Sequence, residues 1–360
     1  MKLFNVGALR QATDDSRLLA ANELVQRTLA QHGLVPPSGK AGGMQEFNMP
    51  SLDGMLAKFS GKLGKGAELP EAVPEGAKFL NDTFKCEAGS RSFRTYVPAS
   101  ATGGVTGVVV MLHGCTQTPE DFAAGTGMNE LAEQHSFVVI YPAQSRGDNA
   151  QSCWNWFSRG DQRRGKGEPA ILAAMTEQVC NEYGVSRDQT FVAGLSAGAA
   201  MAVILGETYG DVFAAVGAHS GLPAGAAKDV PSAFAAMAGN ALDAAPLQQS
   251  GGTVRTIVFH GTSDATVHPS NGDAIARRAK DAGVSQSIET TTQGTTAGRS
   301  FTRALSSDLN GAQIVEHWTI DGQGHAWSGG KSGGSYTDPN GPDASAEMVR
   351  FFFNTVGKEL

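Results

Sequence analysis

The spacing of apolar positions changes character near residue 80. Before it, the spacing is helical. Leu18, Val25 and Leu29, with Ala20 and Ala21 between charged positions, predict an amphipathic helix within residues 1–33 that stops at Gly33, ahead of Pro36 and Pro37. A second helix is expected from Ser51, a suitable N-cap, and puts Leu52, Met55, Leu56, Phe59 and Leu63 on one face. Gly/Pro-rich stretches over 36–49 and 64–76 read as linkers. A lid or a dimerisation arm competes here with a stripe packed on the outside of the main domain. Packing is the expectation, because no catalytic residue types cluster in this stretch; homo-oligomerisation through the arm stays open.

From about residue 80 strands and helices alternate, which predicts an α/β fold: a mostly parallel central sheet with helices on both faces, preceded by an N-terminal helical extension. Residues 93–97 alternate as an edge strand, 108–112 is apolar throughout, 119–135 reads as one helix and 137–141 as the next strand. A long polar and aromatic loop follows, then a helix over 168–183. Strands are expected at 191–193, 212–218, 254–259 and 314–320, with an Ala-rich helical cap over 225–245 and a last helix over 347–354. The division is a 1–79 arm with linkers and an 80–360 catalytic domain.

The chemistry centres on Gly194-Leu195-Ser196-Ala197-Gly198, a G-x-S-x-G run between a short strand and a small-residue helix. In a nucleophile elbow the serine sits on a strained turn above the sheet, and the glycines allow close backbone approach. Gly330-Lys331-Ser332-Gly333-Gly334 matches the same pattern without a strand before it or a helix after it, and reads as a loop.

A serine needs a histidine to take its proton and a carboxylate to orient that histidine, in the order serine, acid, histidine on this type of sheet. Asp264 follows the strand at 254–259 and His325 follows the strand at 314–320, in the Gly-rich Gly322-Gln323-Gly324-His325-Ala326-Trp327. His268 is the rival base and Asp321 the runner-up acid; for Asp264 an Asx-turn role is the competing reading. Two backbone amides are expected to hold the oxyanion, each worth ~3 kcal/mol to the barrier. Ala197 supplies one, and Cys115, after the strand at 108–112, the other. Trp327 and Trp154 are weaker candidates for lining an acyl pocket, with plain packing as the alternative, and for Trp154 and Trp156 recognition and packing stand level.

A balance of 28 Lys+Arg against 35 Asp+Glu, formal charge -7, argues against a nucleic-acid or anionic-membrane partner, and no run approaches the ~18 apolar residues of a membrane span. A small-molecule or oligomeric ester is the expected partner, and no metal or organic cofactor is needed. The start of the sequence has no apolar signal core, so the expectation is a cytoplasmic protein as the sequence stands, with secretion open. There the four cysteines, Cys86, Cys115, Cys153 and Cys180, are expected as buried free thiols.

The runs 112–117, 121–129, 153–157, 194–198 and 324–330 together resemble the poly(3-hydroxybutyrate) depolymerase family of α/β-hydrolase esterases, which is similar to feruloyl and acetylxylan esterases. The resemblance covers roughly residues 80–355 and implies Ser196, Asp264 and His325 as a triad. It implies a serine carboxylic-ester hydrolase acting through an acyl-enzyme on hydroxyalkanoate esters, oligomers or polyester. Secreted members usually carry an export signal and a polymer-binding domain; with neither seen, soluble oligomers and short acyl or aryl esters are expected over insoluble polymer. Cys115 and Cys153 both fall in the shared motifs, which makes a bridge between them a hypothesis. A serine peptidase or thioesterase on the same fold and a non-catalytic binding protein are the alternatives.

Overall fold

The structure is a computed structural model that describes residues 73–241, 254–283 and 286–354. The two helices expected before residue 72, the linkers between them and the end of the Ala-rich 225–245 stretch lie outside the described residues. In chain order the main strands are β1 (Lys78–Cys86), β2 (Gly89–Val97), β3 (Val108–Leu112), β4 (Val138–Pro142), β5 (Thr190–Leu195), β6 (Ala215–His219), β7 (Arg255–Gly261), β8 (Ile288–Thr296), β9 (Arg299–Ser307) and β10 (Gln313–Ile320). A short parallel pair, β11 (Trp327–Ser328) and β12 (Thr337–Asp338), stands apart. The helices are α1 (Pro119–Thr126), α2 (Met128–His135), α3 (Gly167–Tyr183), α4 (Ala197–Thr208), α5 (Val230–Met237), α6 (Ser270–Gly283) and α7 (Ala344–Phe353).

The ten main strands form one sheet in the order β1-β2-β4-β3-β5-β6-β7-β10-β9-β8. From β4 to β10 all neighbours are parallel; β2 and β9 join the two sides antiparallel, each with an antiparallel outer strand. The central strands are apolar at nearly every position because both faces are covered. Val108, Val110 and Leu112 of β3 pack with Leu172 and Met175 of α3 and Met201 and Leu205 of α4. Val109 and Met111 pack on the other face with Phe122 of α1, Met128 of α2 and Phe351 and Phe352 of α7. The order reverses at β3, whose neighbours are β4 and β5, so the loops after β3 and β5 diverge there. A crevice at the carboxyl ends of the strands follows from that reversal.

Three expectations are corrected. The single helix over 119–135 is two, because Gly127 takes a left-handed φ of 63° and its N–H closes α1 on Ala123 O. The strand read as an edge at 93–97 is interior, paired with β1 and β4. The outer strands β1 and β8 and the strand β9 beside β8 were not anticipated: β8, Ile-Glu-Thr-Thr-Thr-Gln-Gly-Thr-Thr, is exposed at nearly every position and so carries no apolar alternation. Of the Ala-rich segment, α5 is the described helical part, opened by Asp229, whose carboxylate accepts from Ser232 N at 2.9 Å.

Candidate active site

Ser196 joins β5 to α4 with φ 57° and ψ −118°, a conformation that costs a non-glycine residue about 1–3 kcal/mol. The strain is held from both sides. Ser196 N donates to His219 O at 2.9 Å, and Ser196 O accepts from Ala200 N at 3.0 Å within the first turn of α4. The two glycines of the motif are steric requirements: a Cβ on Gly198 would lie 2.0 Å from Leu112 O, and one on Gly194 would lie 2.4 Å from Gly198 C. Without side chains there, α4 starts directly against the end of β3. This brings the turn after β3 beside the serine, since a Cβ on Gly114 would stand 3.7 Å from Ser196 Cβ.

The loops after β7 and β10 lie together because those strands are parallel neighbours. Ser263 N donates to Gln323 O at 3.0 Å, Gly322 N to Thr262 Oγ1 at 2.9 Å, and a Cβ on Gly261 would meet Gln323 O at 2.2 Å. That contact sets His325 against Asp264: His325 Nδ1–H donates to Asp264 Oδ2 at 2.8 Å. The other carboxylate oxygen accepts from Thr266 N and Val267 N, both at 2.9 Å, and His260 Nε2 stands 3.5 Å from Oδ2. Burial alone would raise the Asp264 pKa; the donors from His260, His325 and Val267 outweigh it and hold the carboxyl well below the usual carboxylate range. Among the described residues Ser196 Oγ and His325 Nε2 are not hydrogen-bonded, a common looseness before substrate tightens a site.

The rival positions fall elsewhere. His268 is exposed and pairs with Ser270 Oγ, and Asp321 accepts from Thr262 Oγ1 at 3.2 Å rather than facing His325. The second G-x-S-x-G run is a loop laid on α1, with Lys331 N donating to Gly125 O at 2.8 Å.

The turn after β3 is fixed by its neighbours. His113, fully buried, donates from Nδ1 to Gly114 O at 2.8 Å and accepts at Nε2 from Gln144 N at 3.1 Å, so its neutral form fits both bonds. Burial lowers its pKa, against weaker opposing effects of Gly114 O and Asp121. Gly114 N donates to Gln117 Oε1 and Thr116 N to Gln151 O. A disulfide joins Cys115 to Cys153, with the Cα atoms 4.3 Å apart, while Cys86 and Cys180 are free. The expectation of four thiols is thus corrected for two of them. Ala197 N–H, in the first turn of α4, has no intrahelical partner by position.

Trp154 and Trp327 lie in the interior, where the packing alternative puts them. Trp154 is fully buried and donates from Nε1 to His113 O at 3.0 Å; Trp327 is buried and donates to Ser345 Oγ at 3.0 Å, edge-on to Phe122. Trp156 is likewise buried against Phe157. These indoles support the loops from behind.

Two supports were missed in the sequence. His219 is fully buried, accepts at Nε2 from Ser328 N at 3.0 Å, and stacks between Phe259 and Trp327. It ties the elbow to the segment that carries His325. Its pKa is pushed down to about 3, by burial first and then by His260 and His325, against the opposing charge of Asp264. Glu168 is buried behind the turn after β3 and accepts from Arg91, Gln144 and both nitrogens of Asn155. Burial raises its pKa, countered in part by Asn155 N and Arg91. Only their strand-end and helix-start positions marked these residues in the sequence, and such positions are common.

Among the described residues no helix is long and apolar enough to cross a membrane, and no group of three or more His, Cys, Asp or Glu side chains is set to hold a metal.

Comparison with known proteins gives consistent relatives. Poly(3-hydroxyalkanoate) depolymerase C of Paucimonas lemoignei is 32% identical over 254 residues, covering 67% of this chain and 60% of that protein. Acetylxylan esterase A of Talaromyces purpureogenus is 27% identical over 226 residues, covering 57% of each. The chain thus spans under two thirds of the length of these relatives. Among solved structures, an acetyl xylan esterase from Aspergillus awamori superposes with a TM-score of 0.56 at 20% identity, covering 77% of this chain and 98% of that one, and so shares the α/β-hydrolase fold. The model of the family described as esterase PHB depolymerase matches residues 91–299, more than half of the chain, and on that match the chain belongs to the PHB depolymerase esterase family.

Proposed function

We propose that the protein is a serine carboxylic-ester hydrolase that acts through an acyl-enzyme. The observation that carries the reading is the 2.8 Å bond from His325 Nδ1–H to the buried Asp264 carboxylate, in a fold that lifts Ser196 on a strained turn beside the Gly114–Cys115 turn. In this reading Ser196 Oγ attacks the ester carbonyl and His325 Nε2 takes its proton. Asp264 holds the tautomer that leaves Nε2 free to accept, and stabilises the imidazolium. The amides of Cys115 and Ala197 receive the negative oxygen of the tetrahedral intermediate. Its collapse expels the alcohol, which takes the proton from His325; water then repeats the cycle on the acyl-serine and releases the acid.

Short 3-hydroxybutyrate esters and oligomers are the substrates favoured by the likeness to the Paucimonas depolymerase, and acetylated saccharides by the likeness to the Talaromyces esterase. The Cys115–Cys153 bridge supports action in an oxidising compartment. The test is hydrolysis of a p-nitrophenyl acetate-to-octanoate series by the parent and by Ser196→Ala. The substitution is expected to lower kcat/KM by roughly 10⁵–10⁶-fold with the fold intact. Turnover that survives in Ser196→Ala would remove this mechanism. 3-Hydroxybutyrate oligomers and acetylated xylan, compared by kcat/KM, rank the two substrate classes.

A further inference from the structure

We propose that Tyr336 is a specificity-determining residue that forms the wall for the alcohol side of the ester and favours alcohols carrying a ring; the proposal rests on the ester-hydrolase reading above. Seven non-glycine residues among those described take a left-handed φ, and five of them, Thr116, Ser152, Ser196, Ser220 and Tyr336, lie in the segments around the elbow. Ser196 and Ser220 follow strands directly, and Ser152 precedes the bridged Cys153. Tyr336 differs from the serines, because a bulky residue at φ 53°, like the β-branched Thr116 at φ 68°, is a true outlier. The residue is 38% exposed.

Its surroundings nevertheless fix it. Tyr336 O accepts from Trp327 N at 2.7 Å, two residues beyond His325. Ser335, just before it, is held through its N–H and hydroxyl by Asp121 and through its carbonyl by Gln117 Nε2. The Tyr336 hydroxyl reaches Thr116 Oγ1 at 3.3 Å, and Thr116 is itself exposed with φ 68°. One side chain therefore runs from a residue bonded to Trp327, just before β12, to the residue after Cys115, beside the Gly114 turn that backs Ser196. A strained, over-determined aromatic that stays 38% exposed in that place has part of its ring to offer.

The side it serves follows from the proton. His325 must deliver its proton to the departing alcohol, so a wall hydrogen-bonded to the histidine's segment through Trp327 N borders the alcohol and not the acyl group. A tyrosine face suits the flat, weakly polar face of a sugar or aryl ring.

The experiment compares methyl, cyclohexyl and phenyl acetate, and separately the p-nitrophenyl acetate-to-octanoate series, for the parent, Tyr336→Phe, Tyr336→Ala and Tyr336→Gly. Intrinsic ester reactivity cancels in each variant-to-parent ratio. In Tyr336→Ala the kcat/KM for cyclohexyl and phenyl acetate relative to methyl acetate is expected to fall roughly tenfold, carried by KM. Tyr336→Phe is expected to hold that ratio, and the acyl-length preference to stay as in the parent. Tyr336→Gly adopts the left-handed backbone freely and keeps the test decisive if the alanine variant folds poorly. An unchanged alcohol ratio in both ring-less variants, or a shift in the acyl series instead, would overturn the proposal. Ser196→Ala run alongside reports separately on the ester-hydrolase reading: activity surviving there defeats that reading, whatever Tyr336 does.

Discussion

On one flank of Ser196 the loops after β7 and β10 are joined by hydrogen bonds that converge on a buried carboxylate; on the other, the loops after β3 and β4 are joined by a disulfide and by neutral donors and acceptors. The difference matches what each flank is proposed to do. A flank that moves a proton must keep a charge, so Asp264 is buried only with enough donors to remain ionised. A flank that holds an oxyanion needs fixed dipoles and no mobile charge, so His113 is kept neutral by burial and its turn is tied covalently to Cys153. Protonation is thus expected to break the first flank, and reduction the second.

Of the substitutions on the two flanks, Asp264→Asn gives the largest expected effect. The amide cannot hold His325 in the same tautomer, and kcat is expected to fall roughly 10³–10⁴-fold, with Tm changing far less. A fall below about tenfold would show that Asp264 does not orient the base, and Asp321→Asn would be the next variant to measure.

The paired Cys115→Ser and Cys153→Ser substitution comes next. The bridge spans a sequence separation of 38, for which loop closure gives at most about 4 kcal/mol, so a clear fall in Tm is expected together with a lower kcat. The pH–rate profile should keep its shape, because no group on the acid–base flank has changed; a displaced profile would mean that the flanks are not independent. In denaturant, thiol titration of the parent should rise on reduction from the two free cysteines to all four.

The acid–base flank was largely legible in the sequence, and the oxyanion flank only in outline. Asp264 and His325 could be placed because each follows an apolar strand, and an apolar run signals a buried parallel strand whatever lies beside it. Strand β8 escaped notice for the complementary reason: an outer strand exposed on both faces has no pattern to show, and its half-buried neighbour β9 carries only a weak one. For Trp154 and Trp327 pocket lining and packing stayed open, because glycine and polar residues surround them in sequence. The indole N–H partners are instead His113 O and Ser345 Oγ, and such pairing across 41 and 18 residues leaves no local trace. The disulfide came within reach through the family resemblance alone, since the spacing of Cys115 and Cys153 is compatible with free thiols.

The smallest expected effect concerns His219, which stands between the elbow and the histidine segment. Its folded pKa of about 3 lies below the ~6.5 of an unfolded histidine, so between those values the unfolded chain binds a proton that the folded chain refuses. The sign follows: above about pH 6.5 both states are neutral and nothing is lost, and as pH falls from there towards 3 stability declines. Asp264 adds to the decline from about pH 5 downward, as its unfolded form begins to take up a proton that the folded form refuses. His219→Gln retains an acceptor for Ser328 N while removing the titration. At pH 7 it is expected to cost about 1–2 kcal/mol through lost stacking on Phe259 and Trp327 and imperfect bonding, and between pH 6.5 and 4 to flatten the dependence of stability on pH. Urea unfolding at several pH values measures both. A slope equal to the parent's would assign the acid sensitivity of this window to the other histidines whose pKa is lowered by desolvation, the buried His113 on the oxyanion flank and the half-buried His317 in β10.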